Sequence, residues 1–298
     1  MELLKILEGV RSPLLDSVIG LVTRLGEETV GIVVLCLIFW CISKRVAYGI
    51  GVAFFLSSLS VQGAKILFRI DRPWIADPTL SPVPSALAHA TGYSFPSGHT
   101  QSATALFGAL GAQVKPWPIK AVLFALPVLV AFSRMYLGVH TLLDVSVSLV
   151  ISALFILLAV KLLVSEKADK KRDFTVSLII ALYAVVMAII AMALYSNGTI
   201  AHNYVADCFK AAGASIGFAT GMFVERTYIN FSVKSKNIIF QALKFVIGLA
   251  GVIAIQEGLK PIIGSTLIAD MSRYFLMLTW ITVLYPLIIK RFFAVKEV

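Results

Sequence analysis

Long apolar stretches follow one another along almost the whole chain, separated by short polar segments. A membrane-spanning helix needs roughly 17–25 predominantly apolar residues, and about nine stretches approach that length. They lie at residues 28–43, 46–68, 98–115, 119–138, 140–164, 174–196, 205–224, 237–257 and 268–290. The pattern therefore predicts an all-α integral membrane protein, a helical bundle of about nine transmembrane spans.

Residues 3–25 differ from these stretches because charged side chains recur among the apolar ones. The charged residues are Lys5, Glu8, Arg11, Asp16 and Arg24. So many charges are unfavourable in hydrocarbon, whereas an amphipathic helix lies at the membrane surface with its charges in water. We therefore predict an interfacial N-terminal segment over residues 1–27.

A polar segment at residues 165–173 divides the remaining chain. We expect a core of five spans over residues 28–164, which carries the motifs described below, and a C-terminal bundle over residues 174–298 to which we assign no role. In that bundle Gly213, Gly217 and Gly221 recur every four residues, which favours close helix packing. The face is expected to pack against the core or against a second copy of the chain, so a homodimer is a candidate assembly.

Composition and charge agree with a membrane location. The chain is 59% hydrophobic and only 14% charged, which excludes an ordinary soluble domain. If the spans alternate, most of the excess positive charge falls on one side, at Lys44, Arg45, Lys115, Lys120, Lys161, Lys167, Lys170, Lys171, Arg172, Arg226, Lys234, Lys236, Lys290, Arg291 and Lys296. Because cytoplasmic loops are enriched in Lys and Arg, the opposite side is expected to face outward or into a lumen. A bacterial plasma membrane is the expected location.

The second predicted span ends in two basic residues followed by a proline. Lys65 and Arg72 are seven positions apart, so at about 100° per residue they share one face of a helix. Pro73 cannot continue a helix and moves the preceding residue towards an extended conformation, which presents Arg72 at the helix end. Taken alone, the pair is equally consistent with two snorkelling basic side chains.

A Pro-Ser-Gly-His turn at residues 96–99 begins the third predicted span. Ser97 suits the N-cap position. Free backbone N–H groups at a helix start, together with the positive end of the helix dipole, bind phosphate oxygens, and His99 would lie beside an anion held there. The alternative is an ordinary capping turn that happens to contain a histidine.

The strongest chemical pattern opens the fifth predicted span. His140 and Asp144 have the i, i+4 spacing that places both on one helix face. An aspartate that is hydrogen-bonded to one imidazole nitrogen leaves the other nitrogen free to attack. Arg134, six residues earlier, offers a planar guanidinium that suits phosphate oxygens. Ionisable groups at the end of a membrane helix are costly unless they are paired or functional.

In this order, the three stretches resemble the type 2 phosphatidic acid phosphatase superfamily, whose pattern is Lys-x6-Arg-Pro, then Pro-Ser-Gly-His, then Ser-Arg-x5-His-x3-Asp. Every fixed position is matched here, and the resemblance covers roughly residues 28–164. It implies phosphate-binding residues, which are Lys65, Arg72, Ser97, Gly98 and Arg134. It also implies His140 as the nucleophile, Asp144 as the residue that orients it, and His99 as the acid that protonates the leaving oxygen.

The reaction implied by this resemblance is hydrolysis of a phosphoric ester or diphosphate in two in-line displacements, with a phosphohistidine between them. Side-chain cations and backbone N–H groups would hold the transferring phosphoryl group. We therefore expect no metal and no cofactor.

The sequence leaves the substrate open. A site at the outer interface among apolar helices suits a lipid phosphate such as phosphatidic acid, phosphatidylglycerol phosphate or an isoprenyl pyrophosphate, and no nucleic acid is expected as a partner. One alternative is a sugar-phosphate phosphatase like glucose-6-phosphatase. The predicted topology, with about nine spans and an outward N-terminus, is similar to that of glucose-6-phosphatase. Another is a non-catalytic anion or lipid transporter, which has no need for the His140–Asp144 pair beside a second histidine.

Overall fold

In this computed structural model of the protein, residues 1–88, 90–162 and 169–293 are described. The described residues form helices and connecting segments and contain no strand, so the predicted all-α fold is confirmed. Part of the polar segment at 165–173 and the end of the chain, residues 294–298, lie outside the described residues. The domain boundaries at residues 27/28 and 164/174 stay predictions.

In the first half of the chain, three helices have 20 or more residues, and several short helices of 4 to 6 residues lie between them. They are α1 (Glu2–Gly9), α2 (Pro13–Arg24), α3 (Glu28–Leu37), α4 (Lys44–Phe68), α5 (Pro73–Ala76), α6 (Pro84–Leu87), α7 (Gly98–Ala103), α8 (Ala109–Gln113), α9 (Trp117–Tyr136) and α10 (Leu142–Leu162). The second half contains α11 (Lys170–Ser196), α12 (His202–Val224), α13 (Ile238–Ile253), α14 (Lys260–Ile263), α15 (Leu267–Thr279) and α16 (Tyr285–Phe292). π-helical turns continue several of them, at Ile38–Ile42, Thr104–Gly108, Glu225–Ile229, Ala254–Gly258 and Trp280–Leu284.

Six helical stretches among the described residues are long and apolar enough to cross a membrane. They are Lys44–Ala76, Trp117–Tyr136, Leu142–Leu162, Lys170–Ser196, Ile238–Ile263 and Leu267–Phe292. A seventh is obtained if Pro13–Arg24 and Glu28–Ile42, which meet at a bend of 48°, form one broken span. The protein is therefore an integral membrane protein, while the count of nine spans and the interfacial position of the N-terminal segment stay predictions.

Two of the expected spans are helical but do not qualify on length and composition. Residues 98–113 consist of helical segments of 6, 5 and 5 residues, which at 1.5 Å per residue reach only about 24 Å of the roughly 30 Å of hydrocarbon. Helix α12 is long enough, but its first half carries Asp207 and Lys210, which form a salt bridge of 3.1 Å. Whether these two stretches cross the membrane therefore stays a prediction.

The chain groups into two compact units. The first comprises Met1–Ile32 and Val52–Lys161, and the second comprises Val33–Gly51 and the chain from Leu162 onward. In the first unit α9 contacts α1, α2 and α7. A small apolar core lies where α9 ends and is formed by Val83, Ala86, Ala90, Tyr136, Leu137 and Val139. This core fixes the loop that follows α9, which carries the third motif.

In the second unit α12 packs between α11 and α15. The glycine face of α12 lies directly on α15: a Cβ added at Gly213 would lie 2.1 Å from the carbonyl oxygen of Met271, and one at Gly217 would lie 2.6 Å from that of Phe275. The expected close packing is present, and its partner is a helix of the same unit. Since α15 covers this face, it is not the surface on which a second copy would dock.

Buried ion pairs join three helix ends of the second unit. Glu225, at the end of α12, accepts hydrogen bonds from Lys44 Nζ at 2.9 Å and from Tyr48 Oη at 2.5 Å. Asp173, in the first turn of α11, lies 2.7 Å from Nε of Arg226. Each buried carboxylate is thus paired, as its desolvation requires. The start of α4, the start of α11 and the end of α12 therefore lie at the same end of this unit.

The packing of α12 on α15 makes Gly213→Ala a sensitive substitution. The new methyl group would meet a backbone atom, which cannot rotate away, so the helices must separate and the free energy of unfolding should fall by about 1–3 kcal/mol. The thermal unfolding midpoint in detergent measures this loss. Gly31→Ala is the matched control, because a Cβ there meets no described atom within 4 Å, and an equal effect of both substitutions would contradict the packing.

Candidate active site

The first predicted site residues lie on either side of the end of α4. Lys65 is in its last turn, and the helix ends at Phe68. Arg69 has a φ of 50°, in the left-handed region, and Arg72 is extended, with ψ of 151°, as the residue before Pro73. The expectation that Lys65 and Arg72 share one helix face was therefore wrong, because the chain leaves the helix before Arg72. Arg72 instead caps the short helix α5.

Arg72 is buried, with 3% of its surface exposed, and its guanidinium is bound by backbone carbonyls. Nε donates to the carbonyl of Gly92 at 2.9 Å, Nη2 to that of Thr91 at 2.8 Å and Nη1 to that of Val139 at 2.9 Å. Nη1 also lies 2.9 Å from Nε2 of His140. The first and third motifs therefore meet directly, at the predicted nucleophilic nitrogen.

The loop before the second motif completes this frame. The carbonyl of Tyr93 accepts from Lys65 Nζ at 3.3 Å, and Ser94 Oγ donates to Oδ2 of Asp144 at 2.6 Å. The backbone N–H of Ser94 is bound by the carbonyl of Ile70 at 2.8 Å. Residues 91–94 thus connect all three motifs, mostly through main-chain atoms.

Asp144 stands in the first turn of α10 and faces His140. Its Oδ2 lies 3.4 Å from Nδ1 of His140, longer than an ordinary hydrogen bond, and accepts from the backbone N–H of Thr141 at 2.7 Å. Thr141 Oγ1 accepts from the backbone N–H of Asp144 in return, at 3.3 Å. This reciprocal capping, together with Ser94, holds the carboxylate in place.

The contacts of His140 determine its tautomer. Arginine can only donate hydrogen bonds, so Nε2, which faces Nη1 of Arg72, must carry the lone pair. The ring proton is then on Nδ1, towards Asp144. Burial, followed by the positive charges of Arg72 and Arg134, lowers the pKa of His140 well below its usual value. The imidazole is therefore neutral near pH 7, with its lone pair directed at the guanidinium of Arg72.

The second motif forms the predicted cap. Ser97 is the N-cap of α7, and its Oγ accepts from the backbone N–H of Thr100 at 3.4 Å. Its own N–H donates to the carbonyl of Asp144 at 3.2 Å, which brings the second and third motifs together. A Cβ built on Gly98 meets none of the described atoms within 4 Å, so there is open space beside the first turn, where His99 also lies.

Arg134 is in the last turn of α9 and is 1% exposed. Its Nη1 donates to Oγ1 of Thr23 at 2.9 Å, and its carbonyl accepts from the backbone N–H of Val139 at 3.1 Å. Nε and Nη2 of Arg134 have no hydrogen-bond partner among the described residues. Two donors on one edge of a buried guanidinium are thus available to a ligand.

The structure brings the predicted residues into one region of the first unit. Direct contacts connect Arg72, His140, Asp144 and Ser97. The positive charges of Arg72, Arg134 and Lys65 and the ring of His99 all act on His140. In the described part of the chain, no group of three or more His, Cys, Asp or Glu side chains is placed to hold a metal ion. The positive charges that surround His140 are those of Arg72, Arg134 and Lys65.

Sequence reasoning missed three side chains of this site. Thr141 could have been found, because Thr-x-x-Asp at residues 141–144 matches the capping-box pattern. Ser94 and Thr23 gave no such signal, since each reaches the site through a contact distant in sequence, 50 residues for Ser94 and 111 for Thr23.

Two family models match the chain. The model described as "PAP2 superfamily" matches residues 45–168, a range that contains every predicted site residue. The model described as "PAP2 superfamily phosphatase, transmembrane extension" matches residues 209–297. No curated protein matches the chain.

Two crystal structures are similar to part of the chain. LpxE from Aquifex aeolicus is 29% identical, over 54% of this chain and 93% of its own, with a TM-score of 0.48. The first transmembrane PAP2 type phosphatidylglycerolphosphate phosphatase from Bacillus subtilis is 25% identical, over 53% of this chain and 81% of its own, with a TM-score of 0.45.

The tautomer and charge of His140 can be measured by NMR of protein labelled with ¹⁵N-histidine in detergent. Because burial and the neighbouring cations lower its pKa, the ring should remain neutral at pH 6, with its proton on Nδ1. The His140→Gln variant identifies the resonance. An imidazolium at pH 6, or a proton on Nε2, would contradict the geometry around Arg72.

Proposed function

We propose that this protein hydrolyses a lipid phosphomonoester or pyrophosphate through a phosphohistidine on His140. The chain belongs to the PAP2 superfamily of phosphatases. One observation carries the proposal: Nη1 of Arg72 lies 2.9 Å from Nε2 of His140. A cation that can bind a phosphoryl oxygen and a lone pair that can attack phosphorus thus lie side by side.

In the first step, the lone pair of His140 Nε2 forms a bond to phosphorus while the bond to the lipid oxygen breaks. When phosphate enters, Arg72 can transfer its hydrogen bond from Nε2 to a phosphoryl oxygen, which uncovers the nucleophile. His99 gives its proton to the departing oxygen. The phosphorylated ring keeps its proton on Nδ1 and becomes positively charged, and Asp144 stabilises that charge.

In the second step, water attacks the phosphohistidine. His99, now neutral, takes the proton from that water, and the bond between phosphorus and Nε2 breaks. The electron pair returns to His140, inorganic phosphate leaves, and the enzyme is restored. Both steps pass through a phosphoryl group whose charge is spread over its equatorial oxygens.

The proposed cradle for those oxygens consists of Lys65, Arg72 and Arg134 with Ser97 and Gly98 at the start of α7. The unpaired Nε and Nη2 of Arg134 and the open space beside Gly98 support it. Three fixed cations supply the stabilisation that metal ions provide in kinases. We therefore propose a metal-independent reaction.

Exposed apolar side chains beside the site support an amphiphilic substrate. Between Lys65 and Arg72, Leu67 is 56% exposed and Phe68 is 63% exposed. Leu142 and Leu143, between His140 and Asp144, are also exposed. Such side chains would contact acyl or isoprenyl tails while the phosphate reaches the cradle at headgroup depth. We propose phosphatidic acid, phosphatidylglycerol phosphate or an isoprenyl pyrophosphate as the substrate class.

The distribution of charge supports a site on the outer face of a bacterial plasma membrane, within a nine-span topology. Lys44 begins α4 and Lys65 lies in its last turn, about 32 Å apart at 1.5 Å per residue. If the spans alternate along the sequence, the side that carries Lys44 also carries Lys170, Lys171 and Arg172, as expected for a cytoplasmic side. The side that carries Lys65 and Arg134 would then be outside.

Removal of the nucleophile tests the proposed chemistry. His140→Ala should abolish phosphate release and phosphoenzyme formation. Asp144→Asn should slow turnover by on the order of 10²–10⁴-fold, because the ring loses its orienting acceptor. Release of phosphate from mixed lipid phosphates in detergent, measured with excess EDTA, gives the rates. His202→Ala, at an exposed histidine outside the site, should behave as wild type, and substantial turnover in His140→Ala would refute the assignment of the nucleophile.

Membrane orientation can be tested with single cysteines at Ser85 and Lys170, both exposed. Cys36, Cys41 and Cys208 are free thiols and are replaced first. A membrane-impermeant thiol reagent should label position 85 but not position 170 in intact cells, and both after permeabilisation. The reverse pattern would place the site at the cytoplasmic leaflet.

A further inference from the structure

We propose that Thr23 is a positioning residue for phosphate capture, and that the N-terminal helix α2 is thereby part of the active site. The inference rests on the proposed function. Thr23 lies before the range of either family match, residues 45–168 and 209–297. Its Oγ1 nevertheless accepts a hydrogen bond of 2.9 Å from Nη1 of Arg134.

The contact fixes the guanidinium of Arg134 by one of its three nitrogens. The other two, Nε and Nη2, lie along one edge of the planar group and have no partner among the described residues. Their N–H bonds point in parallel, the geometry that binds two oxygens of one phosphoryl group. With Nη1 bound to Thr23, this edge has a defined direction before the ligand arrives.

The burial of both partners makes the arrangement costly without a ligand. Arg134 is 1% exposed and Thr23 is 9% exposed, so water does not replace the missing acceptors freely. An unpaired buried N–H loses its hydration without compensation, and here two occur on the same charged group. An anion that accepts from both would remove that cost, which is the property expected of a phosphate-binding edge.

Threonine suits this role because of its position and its side chain. It lies in the last turn of α2, where a β-branched side chain has few rotamers, so its oxygen is held firmly. Serine would present the same oxygen with more freedom. Valine would keep the shape and remove the acceptor.

Helix α2 is attached to α9 by other contacts as well, so it would not be released by a change at Thr23. Tyr136 Oη donates to Oδ1 of Asp16 in α2 at 2.9 Å, and Arg11, which lies just before α2, donates from Nε to the carbonyl of Tyr136 at 2.9 Å. Beyond the helix, a Cβ at Gly26 would lie 2.6 Å from the carbonyl oxygen of His99. The backbone after α2 therefore also packs tightly against the second motif.

A purely structural role of Thr23 makes a different prediction from a positioning role. If Thr23 only satisfied a buried donor, its loss would lower the unfolding midpoint and leave phosphate recognition intact. If it orients Arg134, its loss weakens the binding of tetrahedral and trigonal phosphoryl mimics in protein that is still folded. The test therefore measures inhibition by inorganic vanadate together with kcat and KM for a lipid phosphate.

Thr23→Val should reduce kcat/KM and raise the inhibition constant of vanadate, each on the order of 10- to 100-fold, as expected for a lost hydrogen bond to a charged group. Thr23→Ser should restore both to within about threefold of wild type. Thr282→Val is the matched control, because this buried hydroxyl donates only to the carbonyl of Leu278 in its own helix, at 2.6 Å. It should leave both values unchanged.

Failure of the inference and failure of the proposed function can be distinguished. Wild-type kcat/KM and vanadate inhibition in Thr23→Val, with His140→Ala inactive, would overturn the role of Thr23 alone. Activity in His140→Ala would overturn the proposed function, whatever Thr23 does. If Thr23→Val does not fold, Thr23→Ala removes the same oxygen without adding volume and is judged by the same two measurements.

Discussion

The site depends on how the buried guanidinium of Arg72 is satisfied. A charge removed from water must be compensated by hydrogen bonds, and here carbonyls at residues 91, 92 and 139 provide them. These contacts tie the loop before the second motif to the turn before α10. The same guanidinium then reaches Nε2 of His140. A single buried cation therefore links the first motif to the third and to the loop before the second, and the contacts of Asp144 with Ser94 and Ser97 complete the arrangement.

The charge of the site explains why it would favour a phosphate. Lys65, Arg72 and Arg134 act on His140 together, while Asp144 is the one predicted site residue with a carboxylate. Like charges in a buried space repel one another strongly, and neutral carbonyls offset this only in part. A bound phosphoryl group would bring the opposing charge. Binding of such a group would therefore relieve the repulsion among these cations.

The sequence predicted those parts of the site that depend on local spacing. The side chains of His140 and Asp144 do lie close together, 3.4 Å apart. They do not share a helix face as the i, i+4 spacing indicated, because α10 begins at Leu142 and His140 lies before it. Ser97 caps its helix as expected. The expectation that Lys65 and Arg72 share one helix face was wrong, because α4 ends at Phe68 and Arg72 lies beyond its end. Residues 91–94 and Thr23 were missed for another reason. Residues 91–93 act through main-chain carbonyls, which every amino acid has, so the sequence does not distinguish them. The contact between α2 and α9 joins residues far apart in the sequence, so no periodic pattern predicts it.

Cations that bind phosphate would also change the nucleophile during the reaction. In the free protein, burial and then these cations lower the pKa of His140, which keeps its lone pair available. The negative charge of a bound phosphoryl group would offset the effect of the cations on the ring, so the pKa would rise, although burial would still lower it. In the proposed mechanism, attack would place a positive charge on the imidazole when the opposing cations are neutralised, and Asp144, beside Nδ1, would stabilise that charge. On the proposed mechanism the cradle would act on both partners of the new bond, so the position of each cation, Arg134 included, would affect the rate.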